Sequence, residues 1–180
     1  RVIAPSNRDR MESNALGPKQ SPANIIAILR TALGGDVKQQ YQVYELMEDS
    51  WARLAKNLHE LKSAASAATY TVTPFTERGE RPTSSAQEKA DFVQHCLDTW
   101  VGSPINSTNG FRDAVYDLCD AVGKGFSVQE ILWESTVDGI MPKATYFCHP
   151  RYYSFPYDKP DLMLSPQGDG VYEEFPDDKF

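Results

Sequence analysis

Between residues 36 and 66 the apolar side chains recur at alternating steps of three and four, and this run limits the fold more than any other feature. The spacing is that of one apolar face of an α-helix. Such a helix would span about 45 Å at 1.5 Å per residue. The repeat covers only about three heptads, so we expect a long helix lying on its own domain and not an oligomeric coiled coil. Its predicted apolar face consists of Tyr44, Met47, Trp51, Leu54, Leu58, Leu61 and Ala65.

A shorter helix is predicted directly before this run, and residues 1–20 before it form a polar N-terminal arm. Ser21 is a suitable N-cap and Pro22 fits the first turn of the helix. Gly34 and Gly35 can end it. Its apolar face is predicted to contain Ile25, Ile26, Leu29 and Leu33.

The middle of the chain is predicted to contain one strand and two further helices. Residues 67–73 alternate with a period of two and are followed by Pro74, which indicates a strand. Ser85 and Glu88 form a capping-box pattern at the start of the third helix. The third helix is expected to bury Phe92, Cys96, Leu97 and Trp100, and the fourth, from residue 111 to 122, to bury Phe111, Val115, Leu118, Cys119 and Val122.

After Gly123 the pattern becomes that of β-structure. "FSVQEILWE" alternates, with an apolar end from Ile131 to Trp133, and the Asp138–Gly139 pair indicates a hairpin turn. "MPKATYFCHPRYYSFPY", "DLMLSP" and "VYEEF" continue as strands. The chain is therefore predicted to be α+β, with helices at 21–65 and 85–122, strands at 67–73 and 126–180, and a mostly antiparallel β meander.

The stretch "VGKGFSVQEILWE", residues 122–134, contains the residue types of a phosphate-binding loop. A Walker-type loop needs a glycine five residues before the Gly-Lys pair, but Leu118 stands there, and it needs Ser or Thr after the lysine, where Gly125 stands. A helix also enters the stretch and a strand leaves it, which is the reverse of a phosphate site. We therefore interpret Gly123 as a left-handed C-cap, Lys124 as an exposed charge near the terminal carbonyls, and Gly125 as the turn.

No catalytic, cofactor-binding or metal-binding residue is assigned from the sequence. Cys96, Cys119 and the pair Cys148–His149 are separated by about two dozen residues, which is not the spacing of a zinc module. The aromatic run from Tyr152 to Tyr157 beside Arg151 could stack single-stranded bases, but one face of a sheet is the favoured interpretation. The residues alone thus predict a non-catalytic α+β scaffold.

Charge and composition narrow the partners. The chain of 180 residues has a net charge of −7. Residues 156–180 contain seven acidic residues against two lysines, a balance of −5 that we expect to repel DNA. Three cysteines without a paired framework favour a reducing compartment. No apolar run approaches the about 20 residues of a membrane helix, and Arg1 and Phe180 are interpreted as cuts in a longer chain.

Several segments, taken in order, resemble the Mu-like bacteriophage portal proteins. "PANIIAILRTALGGDVKQQYQVYELMEDSWARLAKNL" resembles the opening of that family, and "LCDAVGKGFSVQEILWE" is similar to its most recognisable segment. There a Gly-Phe-Ser turn leads into an "E-I-x-W" strand. "CHPRYYSFPY" and "DDKF" resemble the strands that follow. The resemblance implies that residues 21–180 are the wing region of a portal subunit, without its stem and clip.

The resemblance also implies a function and partners. Portal proteins form a dodecameric ring at one capsid vertex, and the terminase pumps double-stranded DNA through it. The implied partners are further copies of the chain, the major capsid protein, the terminase large subunit, head–tail connector proteins and the DNA itself, with no membrane and no cofactor. The implied location is the virion, and the host cytoplasm during assembly. No catalytic residue is implied, since the ATPase belongs to the terminase.

Two alternatives stay open at this point. One is another capsid or head–tail adaptor protein that shares the helix pattern by chance. The other is a small metal-dependent nucleic-acid enzyme that uses the Cys and His residues.

Overall fold

The computed structural model of the chain describes residues 20–101, 110–137, 139–156, 163–164, 171 and 173–174. In order, the elements are α1 (Pro22–Leu33), α2 (Lys38–Ser50), α3 (Ala52–Ala67), α4 (Ser84–Thr99), α5 (Phe111–Leu118), α6 (Ala121–Lys124), β1 (Val128–Thr136), β2 (Gly139–Cys148), a 3₁₀ turn (Pro150–Tyr152), β3 (Tyr153–Ser154) and β4 (Met163–Leu164). The predicted α+β class is confirmed, with helices first and antiparallel strands after them.

Helix α1 begins and ends as its local chemistry predicts. The Ser21 hydroxyl accepts a hydrogen bond from the Asn24 N–H at 3.2 Å, and Pro22 occupies the first turn. Gly34 is the C-cap, and Gly35 follows with a φ of 101°. The predicted apolar face is wrong, however. Ile28 is the buried residue of the helix, whereas Ile26, Leu29 and Leu33 are exposed.

The single long helix predicted from Asp36 is two helices that meet at Trp51. Trp51 has φ −117° and ψ 90°, which no helical residue adopts. Its N–H donates to the Met47 carbonyl, and its own carbonyl accepts from the Leu54 and Ala55 N–H groups. One extended residue therefore ends α2 and starts α3, and the chain changes direction there. Consequently the predicted apolar stripe does not form one buried face, and α2 instead buries Tyr41, Gln42 and Val43.

Two further predictions in the middle of the chain are wrong. Residues 67–73 form no strand, because α3 continues to Ala67 and residues 69–77 are irregular. The Val72 N–H donates at 2.9 Å to the Gln94 side chain of α4, so a helix side chain replaces a strand partner. The capping box at Ser85 is also not used, since Thr83 caps α4 by accepting from the Ala86 N–H.

The predicted fourth helix is interrupted after Leu118, and a single turn, α6, follows it. Gly123 lies inside α6 and is not a left-handed C-cap, which corrects the prediction. That conformation belongs to Gly125, whose φ is 95°. Leu118 and Val122, which were expected to be buried, are exposed.

Strands β1 and β2 form an antiparallel hairpin in which Thr136 pairs with Gly139, as the turn signal predicted. Asp138 itself lies outside the described residues. A register shift between Leu132 and Trp133 marks a β-bulge. The second sheet pairs Tyr153 with Leu164 and Ser154 with Met163. Of the strands predicted within 126–180, the "QGDG" turn at 167–170 also falls outside the described residues.

A small core joins the hairpin to the helices. Cys148 and Tyr153 are its most buried members, and Phe126, Val128 and Tyr152 pack against them. Phe126 contacts Phe155 edge-on, with 5.3 Å between the ring centroids. The segment that follows β2 is thereby fixed beside α2 and the Gly125 turn.

Candidate functional site

The lysine of the glycine-flanked stretch is buried in the domain and already neutralised. The Lys124 side chain is 9% exposed and lies 2.9 Å from Asp120 and 3.1 Å from Glu48. Its ammonium also lies 5.2 Å from the centroid of the Tyr41 ring. The prediction of an exposed helix-terminal charge is therefore wrong. A phosphate would have to displace two carboxylates to reach this lysine, so the chemistry again speaks against a nucleotide loop.

Asp120 is the centre of this arrangement. It accepts hydrogen bonds from the Tyr41 hydroxyl at 2.6 Å and from Lys62 at 2.9 Å, in addition to Lys124. We call Tyr41, Glu48, Lys62, Asp120 and Lys124 the Asp120 cluster. Two carboxylates and two ammonium groups balance within it, as buried charges require. Because Tyr41 and Glu48 come from α2, Lys62 from α3 and Lys124 from α6, the cluster ties three helices together.

Partners set the protonation states of the cluster. Burial by itself would raise the pKa of Asp120, but the Tyr41 hydrogen bond and the two lysines outweigh it and lower that pKa. Burial would lower the pKa of Lys124, but Asp120 and Glu48 raise it. Burial, followed by the Asp120 charge, raises the pKa of Tyr41. The cluster is therefore an ionised, fully partnered unit at neutral pH, with no group ready to exchange protons.

These shifts predict an acid-dependent stability. Because the folded-state pKa of Asp120 is lowered, its contribution is fully present above its unfolded value of about 3.9 and is lost as the pH falls through the folded value. Asp120→Asn should flatten the dependence of unfolding free energy on pH below about 4, and Tyr41→Phe should flatten it in part. Urea unfolding from neutral to acidic pH measures both slopes. An unchanged slope in Asp120→Asn would show that Asp120 is not the titrating group.

A second buried pair lies beside the cluster. His149 Nε2 is 3.1 Å from Glu45 Oε1, and Nδ1 accepts the Arg151 backbone N–H at 3.2 Å. With Nδ1 as an acceptor, the ring is the neutral tautomer that carries its proton on Nε2. Its edge packs against Tyr41, with 5.3 Å between centroids. Both nitrogens of His149 are thus engaged in holding the 3₁₀ turn against α2.

The cysteines do not form a metal or catalytic site in the described part of the chain. No group of three or more His, Cys, Asp or Glu residues that could hold a metal ion occurs among the described residues. Burial raises the pKa of Cys148, which leaves its thiol protonated and a poor nucleophile. Cys96 is buried on α4, as the sequence predicted for a small thiol on an apolar face.

The aromatic residues after β2 are packed inward. Tyr153 is buried, and burial followed by Cys148 raises the pKa of its hydroxyl. The Arg151 guanidinium stacks over the Tyr152 ring at 4.9 Å from its centroid and donates to its hydroxyl at 2.8 Å. These contacts support the prediction of a sheet face and its edge, and they leave no open platform for bases among residues 151–155. Tyr157, the last member of the run, lies outside the described residues.

Two exposed apolar surfaces were not predicted by sequence reasoning. The first, which we call the outer α1 stripe, consists of Ile26, Leu29 and Leu33. The second, which we call the distal hairpin face, consists of Trp133, Val137 and Ile140. The i, i+3, i+7 spacing of the α1 residues was visible in the sequence, but it does not tell whether the face turns inward or outward. Within the described residues, none of the helices has the length and apolarity to cross a lipid bilayer.

Comparison with known proteins assigns the family. The family model described as the portal protein of Mu bacteriophage matches residues 41–180. The chain is 29% identical over 154 residues to the Mu-like prophage FluMu protein gp29 of Haemophilus influenzae, covering 82% of this chain and 27% of that protein. It is 29% identical over 113 residues to the portal protein of Escherichia phage Mu, covering 63% and 20% of the two chains.

The extent of these matches differs between the two sides. The chain spans 27% and 20% of the two relatives' own lengths. The family model, in contrast, covers well over half of this chain and includes the Asp120 cluster, the Gly125 turn and both strands of the hairpin. On the strength of that match, the chain belongs to the family of Mu bacteriophage portal proteins.

Proposed function

We propose that this chain is the wing region of a phage portal subunit, which assembles into a dodecameric ring at one capsid vertex. The observation that carries the proposal is the match of residues 41–180 to the Mu portal family. In this role residues 21–180 form the wing, residues 1–20 form an arm, and the stem and clip belong to other parts of a subunit of the relatives' length. The ring passes double-stranded DNA during packaging and ejection.

The role is architectural and not enzymatic. Support comes from the Asp120 cluster, in which every charged side chain has an opposite charge within 3.1 Å. A network of this kind stabilises a helix arrangement and offers no free acid, base or nucleophile. The high pKa of the Cys148 thiol supports the same conclusion for the cysteine best placed beside a histidine.

The proposed partners follow from this role. They are further copies of the chain, the major capsid protein, the terminase large subunit, the head–tail connector proteins and the DNA in the channel. The acidic balance of residues 156–180 suits a wall past which DNA slides without binding. The proposed location is the portal vertex of the virion, after assembly in the host cytoplasm.

The test is the assembly state of a protein of the relatives' length that carries this sequence. We expect native mass spectrometry to give twelve copies and electron microscopy to show a closed ring whose opening admits a DNA duplex. The 180-residue chain alone should be largely monomeric. A compact monomer or dimer at the longer length would contradict the portal role, and a ring with another number of copies would favour a head–tail adaptor.

A further inference from the structure

The distal hairpin face is an ordered sheet surface with one side open. Trp133 lies opposite Pro142 and Ser135 opposite Ile140, so these four residues share one face of the hairpin. Trp133 is 54% exposed and Ile140 is 69% exposed. The other side packs on the domain, since Met141 is buried and the Phe92 ring of α4 lies beneath Gly139. The exposed apolar residues are thus held on a supported sheet.

The outer α1 stripe is equally well supported. Leu33 is 82% exposed and Ile26 is 50% exposed, while Ile28 on the opposite side of α1 is buried. The helix is fixed at its start by the Ser21 cap and at its end by the Gly35 carbonyl, which accepts the Phe155 N–H at 3.1 Å. Clusters of exposed apolar side chains on rigid elements are typical of interaction surfaces.

We propose that the distal hairpin face of one copy packs against the outer α1 stripe of a second copy. The proposal rests on the proposed ring, because a closed ring requires each subunit to present two different, complementary surfaces. Both surfaces belong to the same chain and lie on different elements, which is the arrangement that a head-to-tail contact needs.

Charge favours this pairing. Copies with a net charge of −7 repel one another over most of their surfaces. Helix α1 carries Arg30 as its single charged residue, a balance of +1, whereas residues 133–143 contain Glu134, Asp138 and Lys143, a balance of −1. The two surfaces are therefore both weakly charged and of opposite sign, so self-repulsion is smallest where they meet.

The geometry of one chain favours a contact between copies. The last turn of α1 lies near the base of the hairpin, through the contacts of Gly35 with Phe155 and of Phe155 with Phe126. The distal end of β1 lies about 27 Å further along the strand, at about 3.4 Å per residue. The hairpin face thus points its exposed residues away from the α1 end of its own copy.

The surfaces are small, and this sets the expected strength. A standard interface buries about 800 Å² on each partner, which requires more than three side chains on each side. The contact is therefore one part of a larger interface, so the 180-residue chain should associate only weakly through it.

The test places the photo-crosslinker p-benzoylphenylalanine at position 140 of a protein of the relatives' length that carries this sequence. Copies labelled with ¹⁴N and ¹⁵N are mixed during assembly, so that mass spectrometry separates adducts between copies from those within one copy. We expect mixed-label adducts between position 140 and residues 22–33. The same crosslinker at Leu118, which is exposed but belongs to neither surface, should give no adduct on α1.

Two substitutions add a quantitative readout. Leu29→Asp and Ile140→Asp should each weaken assembly at least tenfold, whereas Leu118→Asp should leave it unchanged, with circular dichroism confirming the fold of each variant. Rings whose position-140 adducts lie off α1 or within one copy overturn the inference and leave the ring proposal standing. Adducts on α1 without a ring support the contact and overturn the ring proposal.

Discussion

Replacing Lys124 by alanine is expected to lower the free energy of unfolding by about 3–5 kcal/mol, the usual cost of removing one partner from a buried ion pair. The side chain is only 9% exposed, and its removal leaves Glu48 without its 3.1 Å partner in a buried setting. Asp120 keeps Lys62 and Tyr41 but loses the charge nearest to one of its oxygens. Denaturant unfolding at neutral pH measures the effect.

Lys56 provides a matched control on the same protein. It forms an i,i+4 pair with Glu60 at 3.5 Å, as Lys124 does with Asp120, but its side chain is 71% exposed. Lys56→Ala should therefore change stability by no more than about 0.5 kcal/mol. Lys124→Met keeps most of the stem that packs near Tyr41, so a similar loss in Met and Ala variants assigns the effect to the charge. A Lys124→Ala protein as stable as the Lys56→Ala protein would mean that the cluster contributes nothing.

The elements that could be predicted from the sequence depend on neighbours within a few residues. The caps of α1 are local, because Ser21 bonds a group three residues away and Gly34 and Gly35 need no distant partner. The hairpin is local for the same reason, since a two-residue connection joins Thr136 to Gly139. In these places the chemistry of one short segment is sufficient to decide the conformation.

The predictions that failed depend on contacts between distant segments. Lys124 looked like an exposed cap because the groups around it come from far along the chain, with Asp120 bonded by residues 58 and 79 positions away. The i,i+4 spacing of Asp120 and Lys124 was a visible signal of an ion pair. Nothing in the sequence, however, indicated that α3 turns at Trp51 and brings Lys62 to the same place.

Function was accessible from the sequence by a different route. No reactive constellation exists to be found in the described residues, and reasoning from reactive residue types could only conclude that the chain is a scaffold. The order of segments around "LCDAVGKGFSVQEILWE" carried the family. That the same segment contains Asp120, Lys124 and the Gly125 turn gives a physical reason for the pattern, because each of these residues has a geometric task.

Gly35 is the position where any side chain should do the most damage to the described fold. Its φ is 101°, a conformation that residues with a Cβ rarely adopt. A Cβ built there would lie 1.8 Å from the Phe155 carbonyl oxygen, which is backbone and cannot rotate away. The Gly35 carbonyl also accepts from the Phe155 N–H at 3.1 Å and from the Ser154 hydroxyl at 2.6 Å. Relieving the clash therefore breaks the contact between the α1–α2 corner and β3.

We accordingly expect Gly35→Ala to cost about 4–5 kcal/mol, in the range reserved for severe single changes. Gly125 separates strain from collision, because its φ is 95° but a Cβ there meets no atom within 4 Å. Gly125→Ala should cost only about 1–2 kcal/mol, the left-handed penalty alone, and Gly79→Ala, at φ 92° with the same open space, should behave like it. Thermal and urea unfolding of the three variants give the comparison. Equal losses at all three glycines would mean that backbone strain, and not the approach of Phe155, explains the need for glycine at position 35.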